Sequence, residues 1–243
     1  MTGYSSDDNL TCDPRECTTD LYDLFARLPR REHPTYAMEQ QFFGVAPGTP
    51  SVEYGAGDGR LTRWVQPTYA VELSTATIES IEHLALTTKF IAADMCHVEL
   101  PEKVSVSVVG GETLSNFSAR SLEEFFRNAA RNSLPDGELR FDLLASDYFQ
   151  GVRARRGERW HDLSTIRGFP CWEQYRFDDR QVVHAFLLLA DGEVHQAHLH
   201  EFTHSEAFLG SALHDAGWVD VEFTLHDVEG QPPLLFVRAR GVA

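Results

Sequence analysis

A glycine-rich stretch in the first third of the chain carries the residue types best suited to binding a ligand. Residues 53–60 read EYGAGDGR, which gives G-x-G-x-G spacing with an acid, Glu53, two residues before the first glycine. Glycine lets the backbone approach a ligand closely because it has no Cβ. A dinucleotide-binding turn needs a small residue where this chain has Arg60, and a phosphate-binding P-loop needs a Gly-Lys-Ser/Thr ending that this stretch lacks. We therefore predict a strand, a ligand-binding turn of another kind, and a helix.

Three more candidate residues lie at the ends of the next predicted strands. Glu72 ends one short strand, Asp94 ends another, and Gly110 follows a third. Glu72 lies about as far downstream as the acid that accepts hydrogen bonds from ribose hydroxyls in nucleotide-binding βαβ units. Because ligands of open α/β sheets bind outside the carboxyl ends of the strands, we expect these residues and the glycine-rich turn to form one site. The predicted strands are 69–74, 90–95 and 104–109.

These motifs, in this order, resemble those of the class I S-adenosylmethionine (SAM)-dependent methyltransferases. The resemblance runs from about Tyr22 to the C-terminus, and residues 134–137 are similar to the family's L-x-P-G-G turn, with Asp136 in place of the first glycine. It implies an α/β fold with a doubly wound, mostly parallel seven-stranded sheet and helices on both faces. An antiparallel β insertion and an N-terminal lid helix are expected in addition. The implied cofactor is SAM, with S-adenosylhomocysteine as its product.

The resemblance also implies which residues contact the cofactor. Glu72 is expected to accept hydrogen bonds from the ribose hydroxyls, and Asp94 to accept one from the adenine amino group, with Met95 against the ring. Tyr22, on the lid helix, is expected at the methionine end. The full set of predicted cofactor-binding residues is Tyr22, Glu53, Gly55, Ala56, Gly57, Glu72, Leu73, Asp94, Met95 and Gly110.

Four segments are expected to position these residues. Residues 1–43 are predicted to form a loose tail and lid helices, and 44–147 the SAM-binding core. Residues 148–204 depart from the alternating strand–helix pattern, so we predict an antiparallel insertion that binds the methyl acceptor, with a hairpin turn at 191–192. Residues 205–243 supply a C-terminal helix and the last two strands. The extended segments predicted within the insertion are 173–180, 182–190 and 193–202.

Histidines are concentrated near the end of the insertion, around Glu201. On a strand, His198 and His200 point to the same side because side chains alternate. They could bind zinc together with Glu201 or His204, line the acceptor pocket, or lie half exposed. We predict that no metal is bound and that His200 is the catalytic base. The predicted acceptor-binding residues are Glu112, Trp172, Tyr175 and His198. For the two aromatic residues, packing in the core or in a lid is the favoured alternative.

The composition limits the classes of partner. The chain of 243 residues has 37 acids against 21 lysines and arginines, a net charge of −16, which argues against nucleic acid as the acceptor. No run approaches the ~20 apolar residues that span a bilayer, so no membrane partner is expected. The N-terminus lacks the features of a secretory signal, and we expect a cytoplasmic monomer or homodimer. Cys12 and Cys17 are too far apart for common zinc spacings.

We predict an enzyme that transfers a methyl group from SAM to an N or O atom of a small molecule or short peptide by in-line displacement. Its size and composition resemble those of methyltransferases of bacterial secondary metabolism, including antibiotic biosynthesis. Two alternatives stay open. One is a non-catalytic protein of the same fold that binds a ligand or partner. The other is an aminopropyltransferase, for which the sequence contains no recognisable cluster of acids for a polyamine.

Overall fold

The computed structural model describes residues 36–162, 170–177, 181–190, 193–227 and 233–242. The predictions that concern Tyr22, the tail up to residue 35 and the turn at 191–192 lie outside these residues.

The described strands form two sheets. The main sheet has seven strands in the order β10-β11-β5-β4-β1-β2-β3, and β6 to β9 form a separate four-stranded sheet in chain order, called the small sheet below. The strands are β1 (Ser51–Tyr54), β2 (Tyr69–Glu72), β3 (Lys89–Ala92), β4 (Val104–Val109), β5 (Ser133–Leu144), β6 (His161–Asp162), β7 (Cys171–Phe177), β8 (Val182–Ala190), β9 (Glu193–Glu201), β10 (Trp218–His226) and β11 (Leu234–Val242).

The main sheet is mostly parallel, as predicted. Strands β1 to β5 run parallel to one another, whereas β11 pairs antiparallel with both β5 and β10. Strand β11 therefore runs against the other six. All four residues of β1 are buried, and five of the six residues of β4 are buried. Helices on both faces of the sheet account for this burial at successive positions, although polar residues alternate with apolar ones in β1 and in most of β4.

Helices cover both faces of the main sheet. Phe125 and Leu209, on the helices at 119–132 and 206–215, pack against one face. Phe43 and Leu61, on the helices at 36–43 and 60–65, pack against the other. Among the described helices, none is long and apolar enough to cross a membrane. The helices are α1 (Tyr36–Phe43), α2 (Arg60–Val65), α3 (Thr75–Ile81), α4 (Ala119–Asn132), α5 (Tyr148–Arg156) and α6 (Glu206–Asp215), with 3₁₀ turns at Glu82–Leu84 and Thr113–Asn116.

The segment 148–204 differs in part from its prediction. It begins with helix α5, which we did not predict from the sequence, and continues with the small sheet, whose strands are antiparallel as expected. Strand β7 begins at Cys171 and is described up to Phe177, residues 178–180 lie outside the described part of the chain, and β9 ends at Glu201. Tyr175 and Val182 pack in the same apolar cluster as Phe43 and Leu61, so the small sheet lies against the main-sheet face that carries α1 and α2.

The strand register gives the small sheet two unlike faces. Tyr175 pairs with His184 across β7 and β8, and Val182 pairs with Glu201 across β8 and β9. Because side chains alternate along a strand, Glu173 lies on the same face as these residues. This face, which contacts the main sheet, is called the inner face. The opposite, outer face carries Trp172, His198 and His200.

Candidate active site

The glycine-rich turn leads from β1 into α2 with backbone angles that favour glycine. The φ angles of Gly55, Gly57 and Gly59 are +71°, +51° and +73°. A Cβ added at Gly57 would have Gly55 O, 3.8 Å away, as its nearest neighbour, so the space beside Gly57 is open. A Cβ added at Gly55 would lie 3.1 Å from Thr113 Cγ2. The turn therefore leaves its backbone accessible at Gly57, while Gly55 packs tightly against the protein.

Glu72 connects this turn to the end of β2. Its Oε2 accepts a hydrogen bond from Gly57 N–H at 2.9 Å, and its Oε1 accepts one from Ser74 N–H at 3.1 Å. The next residue, Leu73, has a side chain 48% exposed. Glu72, the acid predicted to bind the ribose, thus lies beside the open space at Gly57. The two residues are neighbours because β1 and β2 are parallel and end at the same edge of the sheet.

Asp94 and Met95 follow β3 in a loop, since the strand ends at Ala92 rather than at residue 95. Asp94 Oδ1 accepts a hydrogen bond from Cys96 N–H at 2.8 Å. The amide of Asn128, on α4, donates to the carbonyl oxygens of Met95 at 2.9 Å and Val98 at 3.0 Å, and so fixes the loop from the opposite side. Asn128 was not a predicted site residue. It could have been found in the sequence only as a polar residue on the otherwise apolar, buried side of a helix.

Gly110 serves packing in this structure. A Cβ at this position would lie 2.3 Å from Leu61 Cδ1 and 3.3 Å from Phe43 Cε2. Only glycine therefore lets α1 and α2 pack closely over the end of β4. A cofactor contact from Gly110 stays a prediction.

Glu53 is buried at the end of β1, with a relative exposure of 2%. Burial raises the pKa of its carboxyl group to about 8, although the nearby Thr62 opposes this in part. Among the described residues, its Oε2 has no hydrogen-bond partner. A buried polar atom without a partner is costly, and such atoms in native folds often mark functional positions.

Three carboxyl groups from separate elements meet near the carboxyl ends of β4 and β5. Glu112 follows β4 with a φ of +52°, which is uncommon outside glycine, and its N–H donates to Asp142 Oδ1 at 3.0 Å. Burial raises the pKa of Glu112, Arg60 opposes this, and the charge of Glu201 adds to it. Burial also raises the pKa of Asp142, with a further contribution from Glu112. Glu112 is therefore close enough to Asp142 and to Glu201 for their charges to interact.

His184 connects Glu201 to a second carboxyl group on the inner face of the small sheet. Its Nδ1 lies 3.3 Å from Glu201 Oε2, and its Nε2 lies 3.0 Å from Glu173 Oε2. Tyr175 donates its hydroxyl to the same Glu173 oxygen at 3.2 Å, and Arg156 forms an ion pair with Glu173. Neither His184 nor Glu173 was a predicted site residue. The sequence signal that could have found His184 is a lone histidine within the apolar run of β8.

The predicted acceptor residues divide between the two faces of the small sheet. Tyr175 lies on the inner face, where its pKa is raised mainly by burial and further by Tyr148 and Glu201. His200 lies on the outer face, and its Nδ1 is 3.1 Å from Gln181 Oε1. The structure thus brings Glu112 and Tyr175 together with Glu201, whereas Trp172, His198 and His200 face away. The catalytic role of His200 stays a prediction.

The other candidate zinc ligands are also separated. His204 is buried, and its Nε2 contacts the carbonyl oxygen of Phe117 at 2.9 Å. Within the part of the chain that the structure describes, no three His, Cys, Asp or Glu side chains are arranged to hold a metal ion.

Comparison with solved structures identifies the fold. The sequence matches no protein-family model and no curated protein. The structure is similar to the methyltransferase CcbJ from Streptomyces caelestis, with a TM-score of 0.74, 16% identity, and 92% of this chain and 96% of CcbJ covered. A SAM-dependent methyltransferase from Clostridium acetobutylicum gives 0.69, 14% identity, and coverage of 95% of this chain and 100% of that one.

A third similar structure is the sugar N-methyltransferase KedS8 from Streptoalloteichus sp. It has a TM-score of 0.63 and 19% identity, with 90% of this chain and 92% of KedS8 covered. These similarities extend over almost the whole of each chain. The chain therefore has the Rossmann-like fold of the SAM-dependent methyltransferases.

Proposed function

We propose that the protein is a SAM-dependent methyltransferase that binds its cofactor across the carboxyl ends of β1, β2 and β3. It methylates a nitrogen or oxygen atom of a small molecule or short peptide. The observation that carries this proposal is the open space beside Gly57, which the Glu72 carboxylate borders. An accessible backbone and an acid side by side are what a ligand with a ribose needs at this edge of an α/β sheet.

The residues present fit SAM. Each Glu72 oxygen accepts one N–H, and a carboxylate offers about four lone-pair sites, so the group can still accept hydrogen bonds from two ribose hydroxyls. Asp94 and Met95, held by Asn128, would bind the adenine end. Tyr22 is proposed to contact the methionine end.

When bound, the cofactor supplies a methyl group on a positively charged sulfur, and the lone pair of the acceptor atom forms the new bond as the C–S bond breaks. The work of the protein is to hold the acceptor in line at near-attack distance and to exclude water. Phe202, directly after β9, donates its N–H to Ser115 O in the turn after β4, at 2.6 Å. This hydrogen bond holds the end of the small sheet near the end of β4, so the inner face of the small sheet is suited to holding the acceptor.

The acceptor and its setting are proposed by analogy with proteins of this fold. KedS8 is a sugar N-methyltransferase, and a small acceptor suits a chain of this size. We propose a role in bacterial secondary metabolism, in the cytoplasm, as a monomer or homodimer that acts on neither nucleic acid nor membranes. The net charge of −16 supports the absence of a nucleic-acid acceptor.

Two groups compete for the role of general base, which is needed only if the acceptor atom arrives protonated. His200 is predicted from the sequence, and Glu112 is favoured by its position at the end of β4. If His200 is the base, His200→Ala should lower turnover by about 10²–10⁴-fold with SAM affinity unchanged. Unchanged turnover in that variant would mean that a carboxyl group such as that of Glu112 accepts the proton instead.

Formation of S-adenosylhomocysteine by the purified protein tests the function. The protein is incubated with SAM and a panel of amino sugars, amino acids, short peptides and hydroxylated aromatic compounds. We expect at least one acceptor to be consumed, and mass spectrometry of the product to show an added methyl group. An added aminopropyl group, formed with decarboxylated SAM instead, would favour the aminopropyltransferase. Tight SAM binding without product from any acceptor would favour the non-catalytic alternative.

A further inference from the structure

A series of carboxyl groups that alternate with nitrogen-bearing side chains runs along the inner face of the small sheet. Arg156 pairs with Glu173, and Glu173 Oε2 lies 3.0 Å from His184 Nε2. His184 Nδ1 in turn lies 3.3 Å from Glu201 Oε2, at the end of β9. In this part of the series, each carboxyl group lies next to an arginine or histidine side chain. The series reaches the main sheet at Glu201.

A second series begins on the main-sheet side. Arg60, in the first turn of α2, pairs with the buried Glu39 of α1. The charge of Arg60 also opposes the rise in the pKa values of Glu112 and Asp142, but no ion pair within 4.0 Å joins it to either. Arg60 therefore balances Glu39 first and the other two carboxyl groups only in part.

The alternation breaks where the two series meet. Glu112, Asp142 and Glu201 follow one another there, and we call them the carboxyl gap. Among the described residues, no arginine or lysine forms an ion pair with any of the three. Neighbouring carboxylates in a partly buried place repel one another, so an excess of negative charge calls for a proton or a cationic ligand.

Asp142 gives an independent sign that a ligand belongs there. Its side chain is fully buried, and its Oδ1 is bound to Glu112 N–H, which turns the carboxyl group toward the end of β4. Its Oδ2 has no hydrogen-bond partner among the described residues. A buried carboxylate oxygen left without a donor is costly. A ligand with N–H donors would supply the missing hydrogen bond.

Aromatic side chains border the same place. Tyr148 of α5 and Tyr175 of β7 are both close enough to Glu201 that its charge raises their pKa values, after the larger effect of burial. Tyrosine faces attract cations, and tyrosine hydroxyls can orient a polar acceptor. The carboxyl gap thus combines negative charge, an unsatisfied acceptor atom and aromatic walls.

We propose that the carboxyl gap binds the methyl acceptor through a protonated amine, so that the acceptor is a basic amine rather than a neutral alcohol. This inference rests on the proposed methyl transfer. A primary ammonium group has three N–H donors, as many as the carboxyl groups of the gap. Passing one proton to a carboxylate breaks an N–H bond, forms an O–H bond and leaves on nitrogen the lone pair that methylation needs.

Titration calorimetry of the protein saturated with S-adenosylhomocysteine tests this proposal. The probes are cyclohexylamine, phenylethylamine and glucosamine, each paired with its hydroxyl counterpart, namely cyclohexanol, phenylethanol and glucose. We expect at least one amine to bind about tenfold or more tightly than its partner, as a charge-assisted hydrogen bond provides. Glu112→Gln and Asp142→Asn, which keep the shape of each side chain, should remove that preference. Glu206→Gln, at an exposed position in the first turn of α6, is the matched control and should keep it.

The outcomes separate this inference from the function on which it rests. Equal affinities within every amine–alcohol pair would overturn it. So would variants that keep the amine preference but lose SAM affinity, because the carboxyl gap would then serve the amino group of the cofactor. Should Asp142→Asn fail to fold, Glu112→Gln, at a half-buried position, carries the same test. If S-adenosylhomocysteine itself does not bind, the proposed function fails instead.

Discussion

The Glu72 carboxylate is the side chain on which cofactor binding should depend most. Glu72→Gln replaces one accepting oxygen by a donor and removes the charge, so each lost charge-assisted hydrogen bond should cost ~1.5–3 kcal/mol, or about 10–100-fold in SAM affinity. Calorimetry with SAM measures this. Glu79→Gln, an exposed residue of α3, is the control and should bind SAM like the wild type. Equal affinities in the two variants would remove Glu72 from the site.

Gly57 gives a test in which the protein's own packing hardly changes. Gly57→Ala places a methyl group where the nearest atom is 3.8 Å away, so any large loss of SAM affinity comes from the space that the ligand needs. The positive φ adds a stability cost of about 1 kcal/mol. Gly48→Ala is the matched control, because Gly48 has a φ of +81° and open space but precedes β1. Calorimetry should find SAM binding weakened only in Gly57→Ala, and a similar effect in both variants would contradict this.

The buried Glu53 predicts a pH dependence of stability. Its pKa is 4.5 ordinarily and about 8 in the fold, so the folded protein holds a proton that the unfolded chain releases between these values. This contribution to stability is fully present below pH 4.5 and is lost as the pH rises through about 8. Thermal unfolding of the ligand-free protein should show a flatter pH profile for Glu53→Gln than for the wild type. If the unfolding temperatures of the two proteins changed with pH in parallel, Glu53 would be ionised in the folded protein and the prediction would be wrong.

At the scale of elements, the small sheet should set acceptor specificity without affecting the cofactor. Replacing residues 186–197 with a short Asn-Gly turn removes the end of the β8–β9 hairpin but keeps His184 and Glu201. We expect SAM affinity in calorimetry to stay within about twofold, because Gly57 and Glu72 lie on other elements. Turnover should fall by about 10²-fold or more because the acceptor is no longer held in line. A joint loss of binding and turnover would make the hairpin structural.

The elements differ in how far the sequence predicts them. The ends of β1 and β2 were predictable because Gly57 and Glu72 are 15 residues apart, within one strand–helix–strand unit whose pattern is local. The carboxyl gap was not, because Glu201 lies far along the chain from Glu112 and comes near it only through packing of the two sheets. Pattern alone also left open which histidine faces inward, since shifting the β8–β9 register by one residue exchanges the two faces.

At the scale of the whole molecule, the mostly parallel sheet and the helices on both its faces followed from the alternation of strands and helices, whereas the order of the strands was not predicted. Helix α5 was missed because Gly151 and three arginines within it leave few apolar side chains to mark a face, of which Phe149 and Val152 are buried. The sequence contains no motif in which acids cluster, but the fold brings acids from separate elements near one another in the carboxyl gap. Local patterns therefore predict where the cofactor should bind, whereas the acceptor site depends on contacts between the sheets.

The account depends most on the position of the cofactor, and a crystal structure of the protein with S-adenosylhomocysteine tests it most directly. We predict electron density along the carboxyl ends of β1, β2 and β3, with the ribose hydroxyls on Glu72, the adenine beside Asp94 and Met95, and the sulfur directed toward the carboxyl gap. A ligand bound elsewhere on the protein, or a glycine-rich turn without ligand density at saturating concentration, would contradict the account.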